Sequence, residues 1–248
     1  MQKDYNNIPF ALNTSVGNSP GVGNFFIHGF SETIGKVERE VIWKYGKTFE
    51  QNVALFDTSA VPVYAVLGIA EVNDVYLEIH YIDIDYKEIK TPMFIPAGQT
   101  SVLVADDVRF VNFVFVTSPT KVTQDIDFSI DPTIVTNDKI KNVLLVEYQS
   151  SRAAFQFVSG GTTLTLESFS ASVGRADRAV VDGWIKPDGL YPFSPMGLRV
   201  YQGSTREQLP YYKVPEKSIV FLTGISDVGN TDIQTQIAGF EVENRLIS

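Results

Sequence analysis

Alternation of apolar and polar residues at every second position runs through most of this sequence, and it restricts the chain to extended strands. In Gln124–Pro132 the apolar side chains are Ile126, Phe128 and Ile130, and the residues between them are polar. Side chains of a strand point alternately to opposite faces, so this spacing predicts a strand with one buried face. Val108–Val116 is apolar on both faces in its second half and is expected to be a central strand. We therefore predict an all-β protein of antiparallel β-sandwich or jelly-roll type.

The number of alternating runs bears on domain organisation. They amount to about sixteen short strands, which is enough for two small sandwiches in tandem. Turn formers are concentrated in Asp131–Asp138, so we expect residues 31–135 to form the first sandwich and residues 136–248 the second. One large sandwich over residues 31–248 is the alternative.

The first thirty residues differ in composition from the rest of the chain. They are rich in Asn, Gly, Ser and Pro, and the aromatic residues Phe10, Phe25, Phe26 and Phe30 are spaced among these turn formers. Such a segment has an irregular backbone, but its rings need an apolar surface. Such a segment could fold back on its own domain or lie on a neighbouring subunit. We predict an extended N-terminal arm over residues 1–30 that packs these rings on a neighbouring subunit. A protein without residues 1–30 is then expected to fold but not to assemble.

Charge and cysteine usage exclude several classes of partner. The formal net charge is −9 and the sequence contains no cysteine. Nucleic-acid binding depends on clustered Lys and Arg, so no nucleic-acid partner is expected. The absence of cysteine excludes disulfides, thiol catalysis and Cys-ligated zinc. The N-terminus has no signal peptide and the longest apolar run, Ala60–Ala70, is too short to span a bilayer, so we expect synthesis in the cytoplasm.

Catalytic motifs are weak. His28 and His80 are the only histidines, which limits any histidine-based site. Ser19 lies in a G-x-S-x-G sequence, but Pro20 follows it and no strand precedes it, so a nucleophile elbow is not indicated. We predict that the protein is not an enzyme and needs no cofactor.

The stretch YLEIHYIDIDYK, residues 76–87, contains a change of phase. Apolar residues occupy odd positions as far as Tyr81 and even positions from Ile82 onwards. A β-bulge at Tyr81–Ile82 would explain the change, and so would a turn between two short strands. With a bulge, Ile84 and Tyr86 would continue the buried face.

Carboxylates on the opposite face of this stretch form a candidate metal site. Asp83 and Asp85 are two residues apart and can converge on one cation. If the strand with Asp125 and Asp127 were adjacent, four carboxylates could bind Ca²⁺. The simpler interpretation, which we favour, is that these residues form the solvated side of amphipathic strands.

Aromatic residues near predicted loops suggest an alternative function. Trp184, Tyr191, Tyr211 and Tyr212 lie beside turn sequences, where flat rings can stack on sugars. Packing in the core or at an interface is the more common role of such rings in a β-sandwich, and we favour it.

These observations together favour a structural role. The turn-rich, acidic sequence is similar in texture to jelly-roll virion proteins, including small double jelly-roll capsid proteins. We predict a structural subunit of a large assembly, most simply a viral or bacteriophage capsid, decoration or tail component. Its partners would be copies of itself and other structural proteins, and its location the virion. A carbohydrate-binding or adhesin-like sandwich is the alternative.

Overall fold

The protein is built almost entirely from antiparallel strands. The computed structural model describes residues 22–119, 121–133 and 136–246, and in this part of the chain the side chains of residues 25, 175–177, 194–202 and 204–211 are not described. Every strand pairing in it is antiparallel. The predicted all-β antiparallel class is confirmed.

One sheet contains eight strands from the middle of the chain. They are β3 (Val61–Leu67), β4 (Val75–Ile82), β5 (Glu88–Ile95), β6 (Ser101–Val108), β7 (Phe110–Val116), β8 (Ile126–Ser129), β9 (Ile140–Leu145) and β10 (Ser150–Ser151). Their order is β5-β4-β7-β10-β9-β8-β3-β6. The two end strands β5 and β6 also contact each other, so the sheet curves towards a barrel.

The other sheet combines strands from the two ends of the described chain. They are β1 (Val22–Ile34), β2 (Glu40–Val41), β11 (Phe155–Phe157), β12 (Thr162–Pro187), β13 (Phe193–Val214), β14 (Ser218–Ser226) and β15 (Thr231–Glu243). The order is β1-β15-β12-β14-β11; β13 pairs with β12 and β2 pairs with β14. A short helix α1 (Val53–Phe56) and 3₁₀ turns at Phe49–Gln51, Asn137–Lys139 and Asn244–Leu246 complete the described elements.

Each sheet has its own apolar core, and a third core joins the two. Phe110 of β7 packs against Phe155 of β11, with ring centroids 5.5 Å apart, and Phe155 packs against Trp43 at 5.4 Å. These three side chains are fully buried. Burial of large aromatic side chains is the main attraction available to hold two sheets together.

The change of phase in β4 results from burial on both faces. Tyr81 packs in the core of the eight-stranded sheet, whereas Ile82 packs in the core between the sheets. The strand ends at Ile82 and a turn follows, in which Tyr86 has φ 63°. Ile84 is 51% exposed, so the predicted continuation of the buried face is wrong there.

An irregularity does lie close to this point, but the extra residue is on the neighbouring strand. β4 pairs with β5 without a register shift, whereas His80 faces Phe113 and Tyr81 faces Val111 in β7. Asn112 of β7 is therefore the extra residue. Its side-chain oxygen accepts the N–H of Phe157 at 2.8 Å, and its amide group donates to the carbonyl of Phe157 at 3.1 Å. The bulge thus places the side-chain amide of Asn112 in hydrogen-bond contact with β11 of the other sheet.

Strand pairing crosses the predicted domain boundary. β9 and β10 follow residue 136 but belong to the eight-stranded sheet, and β1 and β2 belong to the other sheet. The division into residues 31–135 and 136–248 stays a prediction, as does the single large sandwich.

The predicted arm overlaps β1. Val22–Phe30 pair with β15, and Ile27 is buried in the core of the seven-stranded sheet. Phe26 is exposed, whereas Phe30 packs edge-on against Tyr148 with centroids 5.6 Å apart. Deleting residues 1–30 would therefore remove part of the chain's own sheet. Phe10 and the side chain of Phe25 lie outside what the structure describes.

Candidate functional site

An aromatic surface covers the outer side of β4, β5 and β7. We call it the outer aromatic face, and it is formed by Tyr76, His80, Phe94, Phe113 and Phe115. Tyr76 is 47% exposed, Phe94 44% and Phe113 38%. The rings contact one another in pairs: Tyr76 and Phe94 have centroids 5.1 Å apart, and Phe113 and Phe115 5.8 Å. Exposed aromatic rings grouped on one face of a sheet are a feature of interaction sites.

Strand pairing explains why these rings are neighbours. Tyr76 lies opposite Phe94, and His80 lies opposite Phe113. The inward residues of β4, such as Leu77 and Ile79, fill the core of the eight-stranded sheet. Apolar side chains therefore lie on both faces of this part of the sheet.

Polar groups on the same face carry both signs of charge. His80 lies edge-on to Phe113 and Phe115, and its Nε2 lies 2.8 Å from a carboxylate oxygen of Glu78. Lys90 lies opposite His80 on β5 and pairs with Glu88 at 3.2 Å. An acidic and a basic side chain are thus next to the aromatic rings.

A groove of about 560 Å³ lies on the seven-stranded sheet. We call it the Trp184 groove. Its aromatic residues are Phe49, Trp184 and Phe221, and its polar residues include Glu38, Arg39, Glu50 and Gln51. Ligand sites of comparable size combine apolar rings with a few polar groups in this way.

The Trp184 ring is held in a fixed position. Its Nε1 donates to the hydroxyl of Thr223 at 2.8 Å. The planes of the Trp184 and Phe221 rings differ by 14°, and their centroids are 6.2 Å apart. The planes of the Phe49 and Phe221 rings differ by 18°, and their centroids are 5.8 Å apart. Because Phe221 belongs to the core between the sheets, the groove is anchored to close-packed core side chains.

Arg39, one of the residues that line the groove, forms an ion pair. Arg39 Nε lies 2.9 Å from Asp182 Oδ2. Burial raises the pKa of Asp182 above its ordinary value, and the charge of Arg39 opposes that effect. Glu38, Glu50 and Gln51 are exposed at the rim.

The turn between β12 and β13 brings Pro192 to the groove. Asp188 fixes this turn, because it accepts hydrogen bonds from Thr58 at 2.6 Å and from Tyr86 at 2.5 Å. Tyr191 in the same turn is 92% exposed. The turn held by Asp188 thus exposes the Tyr191 ring to solvent beside Pro192, which lines the groove.

The predicted stacking residues separate into different environments. Trp184 lines the groove, and Tyr191 is adjacent to it in sequence. Tyr212 packs against the core of the seven-stranded sheet instead. The side chain of Tyr211 lies outside what the structure describes. Of the residues predicted to stack on sugars, Tyr212 therefore has a packing role, whereas Trp184 and Tyr191 are accessible to a ligand.

Asp83 and Asp85 lie in the turn after β4. A carboxylate oxygen of Asp83 accepts the N–H groups of Asp85 at 2.9 Å and Lys87 at 2.8 Å. This is an Asx-type turn, in which an aspartate substitutes for backbone acceptors. The structural role of Asp83 is therefore clear without a ligand.

Asp125 and Asp127 lie at the start of β8, which is not a neighbour of β4. Asp125 pairs with Lys44 and accepts the N–H of Val146 at 2.7 Å. Asp127 accepts the hydroxyl of Tyr45 at 2.7 Å. The adjacency that a four-carboxylate site requires is absent, and within the described ranges no three His, Asp or Glu residues are placed to hold a metal. That the protein needs no cofactor stays a prediction, with calcium binding as the disfavoured alternative.

The outer aromatic face was missed in the sequence, although a signal for it exists. Val108–Val116 was expected to be a central strand because it is apolar on both faces, and β7 is indeed interior to its sheet. One of its faces lies in the core of the eight-stranded sheet. On the other face Phe110 is buried in the core between the sheets, whereas Phe113 and Phe115 belong to the outer aromatic face. Apolar residues on both faces of β7 were therefore a signal for an exposed aromatic surface as well as for a core.

Comparison with known proteins adds little beyond fold. No family model and no curated protein matches this chain. Similar solved structures include the Cowpea mosaic virus top component, at 9% identity over 75% of this chain and 82% of that chain, with a TM-score of 0.22. A CBM22-1–CBM22-2 tandem domain from Paenibacillus barcinonensis Xyn10C is similar at 10% identity over 86% and 93%, with a TM-score of 0.25. Infectious bursal disease virus Gx strain is similar at 8% over 90% and 71%, with a TM-score of 0.23. No helix of the described residues is long and apolar enough to cross a membrane. With TM-scores this low, function has to be argued from the sites themselves.

Proposed function

We propose that this protein is a structural subunit of a large assembly, such as a capsid, decoration or tail component of a virion, and that it acts through protein–protein contacts. The observation that carries the proposal is the outer aromatic face. Tyr76, Phe94 and Phe113 are each more than one third exposed and lie on adjacent strands of one rigid sheet. Aromatic side chains in a contiguous patch are the usual energetic anchors of a protein interface.

The arrangement of charge supports self-association. Glu78 and Lys90 have opposite charges and lie on the same face as the rings. Two copies related by a two-fold axis can pair the Glu78 of each with the Lys90 of the other, while the rings pack at the centre. Pairing of these opposite charges across the contact would lessen the repulsion between two copies of a chain with a net charge of −9.

The remaining parts of the proposal follow from the sequence. The partners are copies of the same chain and other structural proteins, and the location is the virion after synthesis in the cytoplasm. Neither catalysis nor a cofactor is part of this function, and no nucleic-acid contact is invoked for so acidic a chain.

Light scattering tests the proposal. Wild-type protein is expected to form species far above 27.5 kDa as concentration rises. Phe94→Lys combined with Phe113→Lys is expected to lower the mass to that of a monomer. Val72→Lys is the matched control, since Val72 is an exposed apolar residue outside the face, and it should associate like wild type. A wild type that stays monomeric, or a double variant that associates normally, would contradict the proposal.

A truncated protein tests the arm separately. Because β1 begins at Val22 and Ile27 is part of the core, the deletion should remove residues 1–21 only. Weaker association of the truncated protein with unchanged thermal unfolding would support a role of the arm in assembly. If the truncated protein associates as the full chain does, the contact between subunits does not need residues 1–21.

A carbohydrate-binding or adhesin-like function is the second candidate. The observation that favours it is the Trp184 groove, which combines a fixed ring with polar side chains. Groove and outer aromatic face are on different sheets, so one protein can use both.

A further inference from the structure

We propose that the Trp184 groove binds one ring of a neutral sugar, which stacks on Trp184 while the rim side chains bind its hydroxyl groups. This inference rests on the second candidate function and specifies its ligand and residues. It does not depend on the outer aromatic face.

The first argument is the fixed position of the Trp184 ring. The hydrogen bond to Thr223 and the stacking on Phe221 hold the ring before any ligand arrives. Trp184 is only partly buried and lines the groove. A ring that is already ordered loses little conformational entropy when a flat ligand stacks on it. Its Nε1 is engaged, so it contributes apolar surface, which suits the C–H face of a sugar ring.

The second argument is ring orientation, which favours a flat ligand over a cation. An organic cation is held best by several aromatic faces that surround it. Here Trp184 and Phe49 lie within 14° and 18° of the plane of Phe221. Rings that share one orientation do not enclose a ligand from several sides. A disc-shaped sugar therefore fits this arrangement better than an ammonium group.

The third argument is charge, which favours a neutral sugar over an acidic one. The exposed carboxylates of Glu38 and Glu50 lie at the rim, and the guanidinium of Arg39 is paired with Asp182. The net field at the rim is therefore negative and disfavours carboxylate or sulfate groups on the ligand. Carboxylates are strong acceptors for sugar hydroxyls, and the Gln51 amide supplies N–H donors.

Tryptophan fluorescence provides a direct readout. The sequence has two tryptophans, and Trp43 is fully buried in the core between the sheets. A change of emission on ligand addition therefore reports mainly on Trp184. The probes are neutral oligosaccharides of glucose, xylose, mannose and galactose, oligomers of the matching uronic acids, and choline as a quaternary ammonium compound.

The expected result is saturable binding of at least one neutral series, with at least tenfold weaker binding of its uronic acid counterpart and of choline. Glu38→Gln with Glu50→Gln should reduce that tenfold preference against the acidic oligomer. Glu147→Gln, an exposed glutamate outside the groove, is the control and should leave the preference unchanged.

Variants of the platform complete the test by calorimetry. Trp184→Ala should weaken neutral-sugar binding at least tenfold, and Thr223→Val, which preserves the shape of the side chain but removes the hydrogen-bond acceptor, should weaken it about threefold. If Trp184→Ala does not fold, Thr223→Val together with the rim variants decides the matter. Absence of binding to any neutral oligosaccharide, tighter binding of the uronic acids or of choline, or full binding by folded groove variants would overturn the proposal.

The variants at the outer aromatic face separate this inference from the assembly proposal. Phe94→Lys with Phe113→Lys should bind the neutral sugar as wild type does, even if it no longer associates. Loss of sugar binding in that protein would show that the ligand depends on association and would overturn the assignment to a groove within one chain.

Discussion

The hydroxyl of Tyr86 donates a 2.5 Å hydrogen bond to Asp188 and so links the two sheets of the molecule. Tyr86 lies in the turn after β4 of the eight-stranded sheet, and Asp188 lies in the turn between β12 and β13. Arg109 and Lys217 lie over the Tyr86 ring, 4.1 and 4.7 Å from its centroid. The Tyr86 ring, the two cations above it and the Asp188 carboxylate thus connect parts of the chain about one hundred residues apart.

Removing this hydroxyl should weaken the junction in a pH-dependent way. We expect Tyr86→Phe to lower the free energy of unfolding at pH 7 by about 1 kcal/mol, because the ring contacts remain and one hydrogen bond is lost. Burial alone would raise the pKa of Asp188, but the hydrogen bonds from Thr58 and Tyr86 and the charges of Lys186 and Arg109 hold it below its ordinary value. A carboxyl with a lowered pKa stabilises the fold above its unfolded pKa and loses that contribution as pH falls through its folded pKa.

The difference between wild type and Tyr86→Phe should therefore shrink when urea unfolding is repeated in the acid range below the ordinary aspartate pKa of about 3.9. Tyr191→Phe, which changes an exposed hydroxyl in the neighbouring turn, should leave stability unchanged. Equal losses at neutral and acidic pH would show that Asp188 is not the relevant acceptor.

Lys141 should make the protein more stable as the solution becomes alkaline. Burial lowers the pKa of Lys141 to about 8, although Asp57 opposes the shift. Its ammonium donates to the carbonyls of Ala54, Asp57 and Arg109. Between pH 8 and the ordinary lysine pKa of about 10.4 the unfolded chain binds a proton that the folded chain has lost, so stability rises with pH.

Over that interval the stability of wild type relative to Lys141→Met should increase by on the order of 3 kcal/mol. Denaturant unfolding at pH 7.5 and pH 10 measures the change. Lys121→Met, which alters an exposed lysine, should show no such trend. A constant difference between wild type and Lys141→Met would mean that the lysine has an ordinary pKa.

The Asn112 bridge should be essential for joining the sheets. Asn112→Ala leaves the buried N–H and C=O of Phe157 without their partners, and each unsatisfied group costs about 1–3 kcal/mol. We expect a loss of about 3 kcal/mol in the free energy of unfolding. Asn137→Ala, at an exposed asparagine, is the control. A loss below about 1 kcal/mol would indicate that water replaces the amide easily.

Glycine at position 29 should be required for the packing of β1. A Cβ atom at Gly29 would lie 2.2 Å from the Cβ of Ala154 and 2.6 Å from Oγ1 of Thr235. Gly29→Ala should thus destabilise the protein by about 1–3 kcal/mol through overpacking. Gly23→Ala is a matched control in the same strand, since no atom outside Gly23 and its two chain neighbours lies within 4 Å of its Cβ position. Equal thermal stability of the two variants would show that β1 can move away without cost.

The local order of the strands was predictable from sequence alone. Ile126 and Phe128 face the core and Asp127 between them does not, as the alternation in β8 indicated. Turn formers marked most of the connections as well. Alternation is visible in sequence because neighbouring side chains of a strand point to opposite faces by covalent geometry alone.

Partner strands were decided only by tertiary structure. Ile82 and Ile84 are equivalent in sequence pattern, but Ile82 is buried between the sheets and Ile84 is exposed in a turn. Asp83 and Asp127 are both aspartates beside isoleucine, yet one closes a turn and the other accepts from Tyr45. Which strands are neighbours depends on contacts between residues far apart in the chain.

The candidate sites show the same limit. The sequence by itself determined an acidic, cysteine-free, antiparallel β protein, and it identified Trp184 as a ring beside a turn. It could not place Trp184 over Phe221 or Tyr76 next to Phe94, because those pairs form only when separate strands come together in register. Composition and periodicity are properties of single segments, whereas a surface or a groove is a property of several segments packed together.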